Sequence, residues 1–186
     1  MLNEYPNVIT PFDQLNVNWD KTRVWSEGGY YARVFFNVQG REPNGVLPPA
    51  EYESFQDDIK TRFEALSDDK GQPLNSLVFK PKEIYKAVRN VAPDLIVHFA
   101  GLLWRSIGSV GHKEIYVHEN DTGPDSCNHA QYGMFILKAP NFPATGEYEG
   151  ARLLDIAPTL LDLGGYEIPE TMQGRSLVDA SGRNWV

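Results

Sequence analysis

Ala92-Pro93-Asp94-Leu95-Ile96-Val97-His98-Phe99 is the stretch on which the fold turns. After Asp94 the run is apolar apart from His98. A strand open to water on one side alternates apolar and polar residues; a nearly continuous apolar run marks a strand covered on both faces, the habit of parallel sheets. The reading is a buried strand in a mostly parallel α/β sheet, with His98 as a core or sheet-edge histidine.

Working outward toward the N-terminus, Leu74–Phe79 reads as a second short strand and Pro81-Lys82-Glu83-Ile84-Tyr85 as a helical turn. Before them Tyr52, Phe55, Ile59, Phe63 and Leu66 recur at steps of three or four, with Asp57, Asp58, Lys60 and Glu64 between them. That spacing lays the apolar residues along one face of a helix. Pro48-Pro49 opens it, since proline suits a first turn whose N–H groups have no intrahelical acceptor. Tyr30–Val38 alternates Ala32, Val34, Phe36 and Val38 against Tyr31, Arg33, Phe35 and Asn37, the period of a half-buried strand. Gly40–Gly45 is a turn. Residues 1–29 are irregular, ending in the hinge-like Ser26-Glu27-Gly28-Gly29.

Toward the C-terminus, Gly101–Gly111 is a glycine-punctuated loop carrying Trp104 and Arg105. Then comes Asn120-Asp-Thr-Gly-Pro-Asp-Ser-Cys-Asn-His129-Ala-Gln-Tyr-Gly-Met-Phe-Ile-Leu137, a polar, turn-rich run followed by an apolar stretch. Met134–Leu137 reads as a buried strand, and a loop of ligand-capable side chains at a strand edge is how α/β enzymes present chemistry. The competing account of His129 is a surface imidazole that caps or bonds locally. Asp155–Leu163 reads as a helix with an acidic cap, an early proline and Gly164-Gly165 as its stop. The expected organisation is an irregular segment over 1–29, an α+β cap-like subdomain over 30–90, and the C-terminal part of an α/β core over 91–186.

Composition narrows the function classes. The chain has 186 residues, 41% of them hydrophobic, which suffices for one sizeable core. A net charge of -8 with no dense basic cluster argues against a nucleic-acid duplex as partner. Cys127 is the single cysteine, so no intrachain disulfide forms. No apolar run approaches a membrane span, and no secretory pattern opens the chain; the expectation is a cytoplasmic protein without a membrane partner.

Four stretches, read together, resemble the type I phosphodiesterase/nucleotide pyrophosphatase branch of the alkaline phosphatase superfamily. They are Gly28-Gly-Tyr-Tyr-Ala-Arg-Val-Phe-Phe-Asn-Val-Gln-Gly-Arg-Glu-Pro43, Ala92-Pro-Asp-Leu-Ile96, Asn128-His-Ala-Gln-Tyr-Gly-Met-Phe135 and Asp155-Ile-Ala-Pro-Thr-Leu160. The likeness runs from about residue 18 to residue 177. It implies the C-terminal part of a mostly parallel sheet whose edge holds two divalent metals, zinc in most members, and a Thr or Ser that attacks phosphorus. By that likeness His129 is a metal ligand. Cys127-Asn128 stands where the pyrophosphatases usually carry Gly-Thr.

The nucleophile, the first metal-binding Asp, the Asp-x-x-x-His pair and the Asp-His dipeptide lie, in that family, upstream of the region this chain resembles. Asp-x-x-x-His spacing occurs at Asp94–His98 and Asp125–His129, and no Asp-His dipeptide is present. One histidine does not complete a zinc site, which wants about four ligands. No catalytic residue is therefore assigned. The expectation is the C-terminal portion of a metal-dependent phosphoric-ester hydrolase, inactive unless completed by an N-terminal half polypeptide or a homo-oligomer. Its ligands would be a phosphate-ester small molecule and a divalent metal, zinc or manganese. The alternative is a split or decayed fragment that binds a ligand or self-associates without turnover.

Among the remaining candidates, Arg105 is the substrate-binding choice, and Arg41 is placed in a similar glycine-rich loop; both are otherwise surface ion-pair residues. Asp121 and Asp125 are ligands, partners of His129, or turn formers. Trp104 either stacks on a ligand or packs. Cys127 lacks the neighbours that activate a thiolate. His112 and His118 read as exposed.

Overall fold

The computed structural model describes residues 1–118, 127–139 and 146–178. The chain divides into two compact units, Met1–Gly133 and Met134–Val186.

The first unit carries β1 (Thr10–Pro11), β2 (Val24–Glu27), β3 (Ala32–Phe36), α1 (Tyr52–Glu64), β4 (Leu77–Phe79), α2 (Pro81–Ile84), β5 (Leu95–His98) and β6 (Ser109–Val110). Four strands form one sheet in the order β2-β3-β5-β4, and β1 pairs with β6. The alternation in β3 acts as expected: Ala32, Val34 and Phe36 are buried, Tyr31 and Arg33 exposed. Of the residues at helical spacing, Tyr52, Phe55, Ile59 and Phe63 lie in α1 and pack on the core of Val34, Phe36, Leu47, Leu95 and Val97, whereas Leu66 falls past the helix end at Glu64. Full burial of a side chain such as Phe36 or Leu95 contributes about 1.5–3 kcal/mol.

The sheet corrects one expectation. All the named strand pairs are antiparallel, including Ala32↔Val97 between β3 and β5 and Val78↔Val97 between β4 and β5. A mostly parallel sheet is not what these residues build. Two-sided burial is the cause of the continuous apolar run: Leu95 and Val97 face α1, while Ile96 is covered on the opposite face. The run reports burial and carries no information on strand direction. Residues 1–29, expected to be irregular, also contain β1 and β2.

A buried charge pins the sheet to the turn that follows β3. Asp94, 3% exposed, accepts Nη1 and Nη2 of Arg41 at 2.7 Å each, the Tyr52 hydroxyl at 2.7 Å and the Phe36 backbone N–H at 2.6 Å. Arg41 also donates to Glu42 and to the Phe36 carbonyl. Such a carboxylate is stable in the interior only because each lone pair meets a donor. Burial and the Asp94 carboxylate both push the Tyr52 phenol above its ordinary pKa, and hydrogen bonding to Asp94 raises the Arg41 guanidinium.

In the second unit α3 spans Leu153–Leu163 and begins two residues before Asp155. Asp155 sits in the first turn, fully buried, and its carboxylate accepts the backbone N–H of Arg152 at 2.9 Å and that of Arg175 at 3.0 Å. Thr159 donates to the Asp155 carbonyl and accepts the Leu177 N–H at 2.9 Å. Pro158 has no N–H for the Leu154 carbonyl, and Gly174 packs against that carbonyl so closely that a Cβ there would overlap it. Asp155-Ile-Ala-Pro-Thr159 is thus a clasp between the helix and Gly174–Leu177. Met134–Leu137 is not a strand: Met134 and Ile136 are exposed and the segment has no ladder partner among the described residues. An apolar run of four residues does not specify a strand without a neighbour to pair with.

Candidate functional site

The turn between β2 and β3 sets the site. Gly28 lies against the backbone of Gly108, where a Cβ would overlap Gly108 N, so only glycine permits this approach. Gly29 then exchanges two backbone hydrogen bonds with Ser106, at 2.8 and 3.0 Å. The glycine pair welds the start of β3 to the Gly101–Gly111 loop and delivers Tyr30 beside Arg105.

Two residues singled out in the sequence meet at Tyr30. The His129 imidazole stacks on the Tyr30 ring with centroids 3.8 Å apart and planes 17° from parallel. The Arg105 guanidinium carbon lies 4.8 Å from the same ring centroid. Asn128 anchors the His129 loop by donating from its side chain to the Leu102 carbonyl at 2.5 Å and accepting the His129 N–H at 2.9 Å. His129 stays exposed, so its ring nitrogens are reachable from solvent.

The same unit holds a cleft of about 900 Å³ beside this cluster. Phe99, Trp104 and Tyr116 contribute aromatic surface to it; Arg105, His112 and Lys113 contribute positive or protonatable groups, and Cys127 and Asn128 reach its margin. Trp104 meets Tyr116 and His118 edge-on, at 5.7 and 5.5 Å, so its ring is packed as well as cleft-facing. His118 Nε2 lies 3.2 Å from Asp69 Oδ2, and His112 Nε2 lies 2.9 Å from Ser109 Oγ. A concave apolar wall with a few convergent polar groups is the usual setting for a small ligand; Glu114 lines it beside Arg105 and Lys113, so the cleft carries both signs of charge.

Metal-ligating chemistry is sparse. Among the described residues no group of three or more His, Cys, Asp and Glu could hold an ion. Asp121 and Asp125 lie outside the described residues. The Asp94–His98 spacing does not make a ligand pair, because the Asp94 carboxylate is taken up by Arg41, Tyr52 and Phe36. His98 packs between Tyr31 and Phe79, and burial there lowers its pKa below the ordinary 6.5. Among the described residues a divalent ion would find one donor in the cluster, the His129 imidazole, short of the set of about four that zinc wants.

Tyr30 and Asp94 are the residues whose roles the sequence did not disclose. Tyr30 follows two glycines in a turn, a position that carries no sign of a remote imidazole. Asp94 precedes an apolar run, and only the pairing of β5 with β3 shows it to be interior.

No family model matches the chain, and no solved structure does. Two curated proteins are similar over short stretches. The 2,3-bisphosphoglycerate-independent phosphoglycerate mutase of Rhodopirellula baltica is 42% identical over 60 residues, 32% of this chain and 11% of the mutase. The enzyme of the same name from Thermomicrobium roseum is 49% identical over 49 residues, 25% of this chain and 9% of that protein. The match spans about a tenth of the length of these relatives. That mutase is itself a member of the alkaline phosphatase superfamily.

Proposed function

We propose that the chain forms part of a metal-dependent phosphoryl-transfer enzyme of the alkaline phosphatase superfamily, acting as a phosphoric-ester hydrolase. The convergence of His129 and Arg105 on Tyr30 carries the reading: a metal-ligand candidate and an anion-binding candidate from separate loops occupy one cluster. The similarity to the two mutases supports a phosphoryl substrate. Within this reading His129 gives one ring nitrogen to a divalent ion, zinc or manganese, and Arg105 meets a phosphoryl oxygen of a diester, pyrophosphate or monoester. The bound metal would neutralise charge that builds on the phosphoryl group. The Thr or Ser nucleophile and the remaining ligands come from outside the residues assigned here.

The test is metal content of the purified chain beside His129→Ala, followed by hydrolysis of p-nitrophenyl phosphodiesters and phosphomonoesters. Zinc or manganese bound by the wild type and lost in His129→Ala is the expected result. Metal retained undiminished in His129→Ala removes that residue from the site.

A second reading is a non-catalytic, self-associating module. β2 and β4 end the four-stranded sheet among the described residues, and Leu77 on β4 is 41% exposed. A sheet end with apolar residues beside it is a template for pairing with another copy.

A further inference from the structure

We propose that residues 82–91 are a lipid-contact strip, which binds an anionic membrane surface by winding into an amphipathic helix. The strip lies in the connection between β4 and β5, whose residues Phe79 and Ile96 face each other across the pairing. Every residue of it is exposed, with Ile84, Tyr85, Val88 and Val91 between 42% and 90% open to solvent. Lys82, Lys86 and Arg89 stand among them against one carboxylate, Glu83, so the strip is basic in a chain of net charge -8. Arg23, Arg33, Arg41, Lys60, Arg62 and Lys80 of the same unit each pair with a carboxylate. Among the described residues the three cations of the strip have no such partner.

The spacing of the strip is helical. Ile84, Val88 and Val91 recur at steps of four and three, and so do Lys82, Lys86 and Arg89, two residues out of phase. On a helix that offset turns the basic row to the side opposite the apolar one. In the free chain α2 winds only Pro81–Ile84; Tyr85 is extended and Asn90 has a φ of 56°. A helix this short has little stability in water without a surface to cover its apolar side. Pro81 suits a first turn and Pro93 limits the far end, so the wound form runs over residues 81–91, about 16 Å. Such a helix lies in the plane of the lipid headgroups, its apolar row downward and Tyr85 at the boundary. No residue of the strip lines the cleft beside Trp104, and its few residues fall short of the roughly 20–30 a side of a specific protein interface. A fluid lipid surface asks for charge and apolar side chains rather than for a fixed shape. Charges beyond about 8 Å are largely screened at physiological salt, so carboxylates elsewhere on the chain oppose the contact less than the strip's own cations favour it. The expectation of no membrane partner rested on the lack of a spanning run, and a helix that lies on the surface needs none.

The experiment is co-sedimentation of the full chain with vesicles of equal parts phosphatidylserine and phosphatidylcholine, beside vesicles of phosphatidylcholine alone. Circular dichroism is recorded on the same mixtures. The wild type should partition onto the anionic vesicles, gain helix there, and come off as salt is raised. A variant combining Lys82→Gln, Lys86→Gln and Arg89→Gln should bind about a hundredfold more weakly, since each basic side chain near an anionic surface contributes about fivefold. Val88→Ser with Val91→Ser should also lose binding while the cations remain. These five side chains are exposed, so the substitutions leave the packed core of the first unit untouched. No partition of the wild type onto anionic vesicles overturns the proposal, as does equal partition onto phosphatidylcholine alone. Undiminished binding by the glutamine variant assigns any lipid contact to another surface and refutes the strip. Binding without a gain of helix overturns the wound form. Retention on immobilised polyglutamate in the absence of vesicle binding, lost in the glutamine variant, overturns the lipid assignment in favour of an acidic protein partner.

Discussion

Asp94 shows how one side chain can join three parts of a fold. Its carboxylate draws donors from the turn after β3, from the first turn of α1 and from the β3 backbone. Removing a donor leaves a buried charge short of a partner, which costs more than the bond was worth. Arg41→Met should therefore destabilise the first unit by about 2–3 kcal/mol, below the full penalty for stranding a buried charge because Arg41 keeps 43% of its side chain exposed. Tyr52→Phe should cost about 1–2 kcal/mol. Urea denaturation followed by tryptophan fluorescence measures both. His98 provides a pH-dependent companion. Its folded pKa lies below the ordinary 6.5, so its contribution is complete above 6.5 and is lost as pH falls through the lower, folded value. His98→Gln should flatten the fall of Tm on acidification through that window, and a melting series across pH reads it. A slope unchanged in the variant would mean that His98 is not the group responsible.

At the scale of elements, α3 was legible as a helix and its clasp was not. The acidic residue at the start, the early proline and the Gly164-Gly165 stop are local signals, and the helix they mark is present at Leu153–Leu163, with Asp155 in its first turn rather than at its cap. That Asp155 holds Arg175, and Thr159 holds Leu177, depends on a segment some twenty residues away returning to the helix start. Thr159→Val should weaken the clasp by about 1 kcal/mol, and Gly174→Ala by more, because its new Cβ has backbone on its far side. Amide exchange of α3 and of Leu177 would report both, and equal protection in Thr159→Val would show the clasp to be idle. Burial alone would raise the Asp155 pKa, but the bonds from Arg152 and Arg175 outweigh it and the net shift is downward. The clasp thus stabilises above the ordinary carboxylate value of 3.8 and is lost as pH falls through the lower, folded value. Met134–Leu137 teaches the converse lesson: apolar character without a strand to pair against left its backbone outside any sheet.

For the molecule as a whole, the exposed end strands of the four-stranded sheet bear on association. Under the self-association reading, Leu77→Lys at the β4 edge should lower the average mass seen by sedimentation velocity at rising concentration, since a charge on an edge strand opposes pairing. A monomer at every concentration in both proteins would dismiss that reading. No helix among the described residues is long and apolar enough to cross a membrane. What the sequence by itself determined was local: the amphipathic face of α1, the alternation of β3, the burial of β5 and the presence and C-terminal stop of α3. Each is written in the spacing of neighbouring residues, and spacing within an element depends only on its helical or pleated period. Tertiary structure decided the rest. Strand direction is not encoded in the composition of an apolar run, so only the pairing of β5 with β3 and β4 showed the sheet to be antiparallel. Likewise, residues 30, 105 and 129 stand far apart along the chain, and only the weld of Gly29 to Ser106 and the anchoring of Asn128 to Leu102 bring Tyr30, Arg105 and His129 into one cluster.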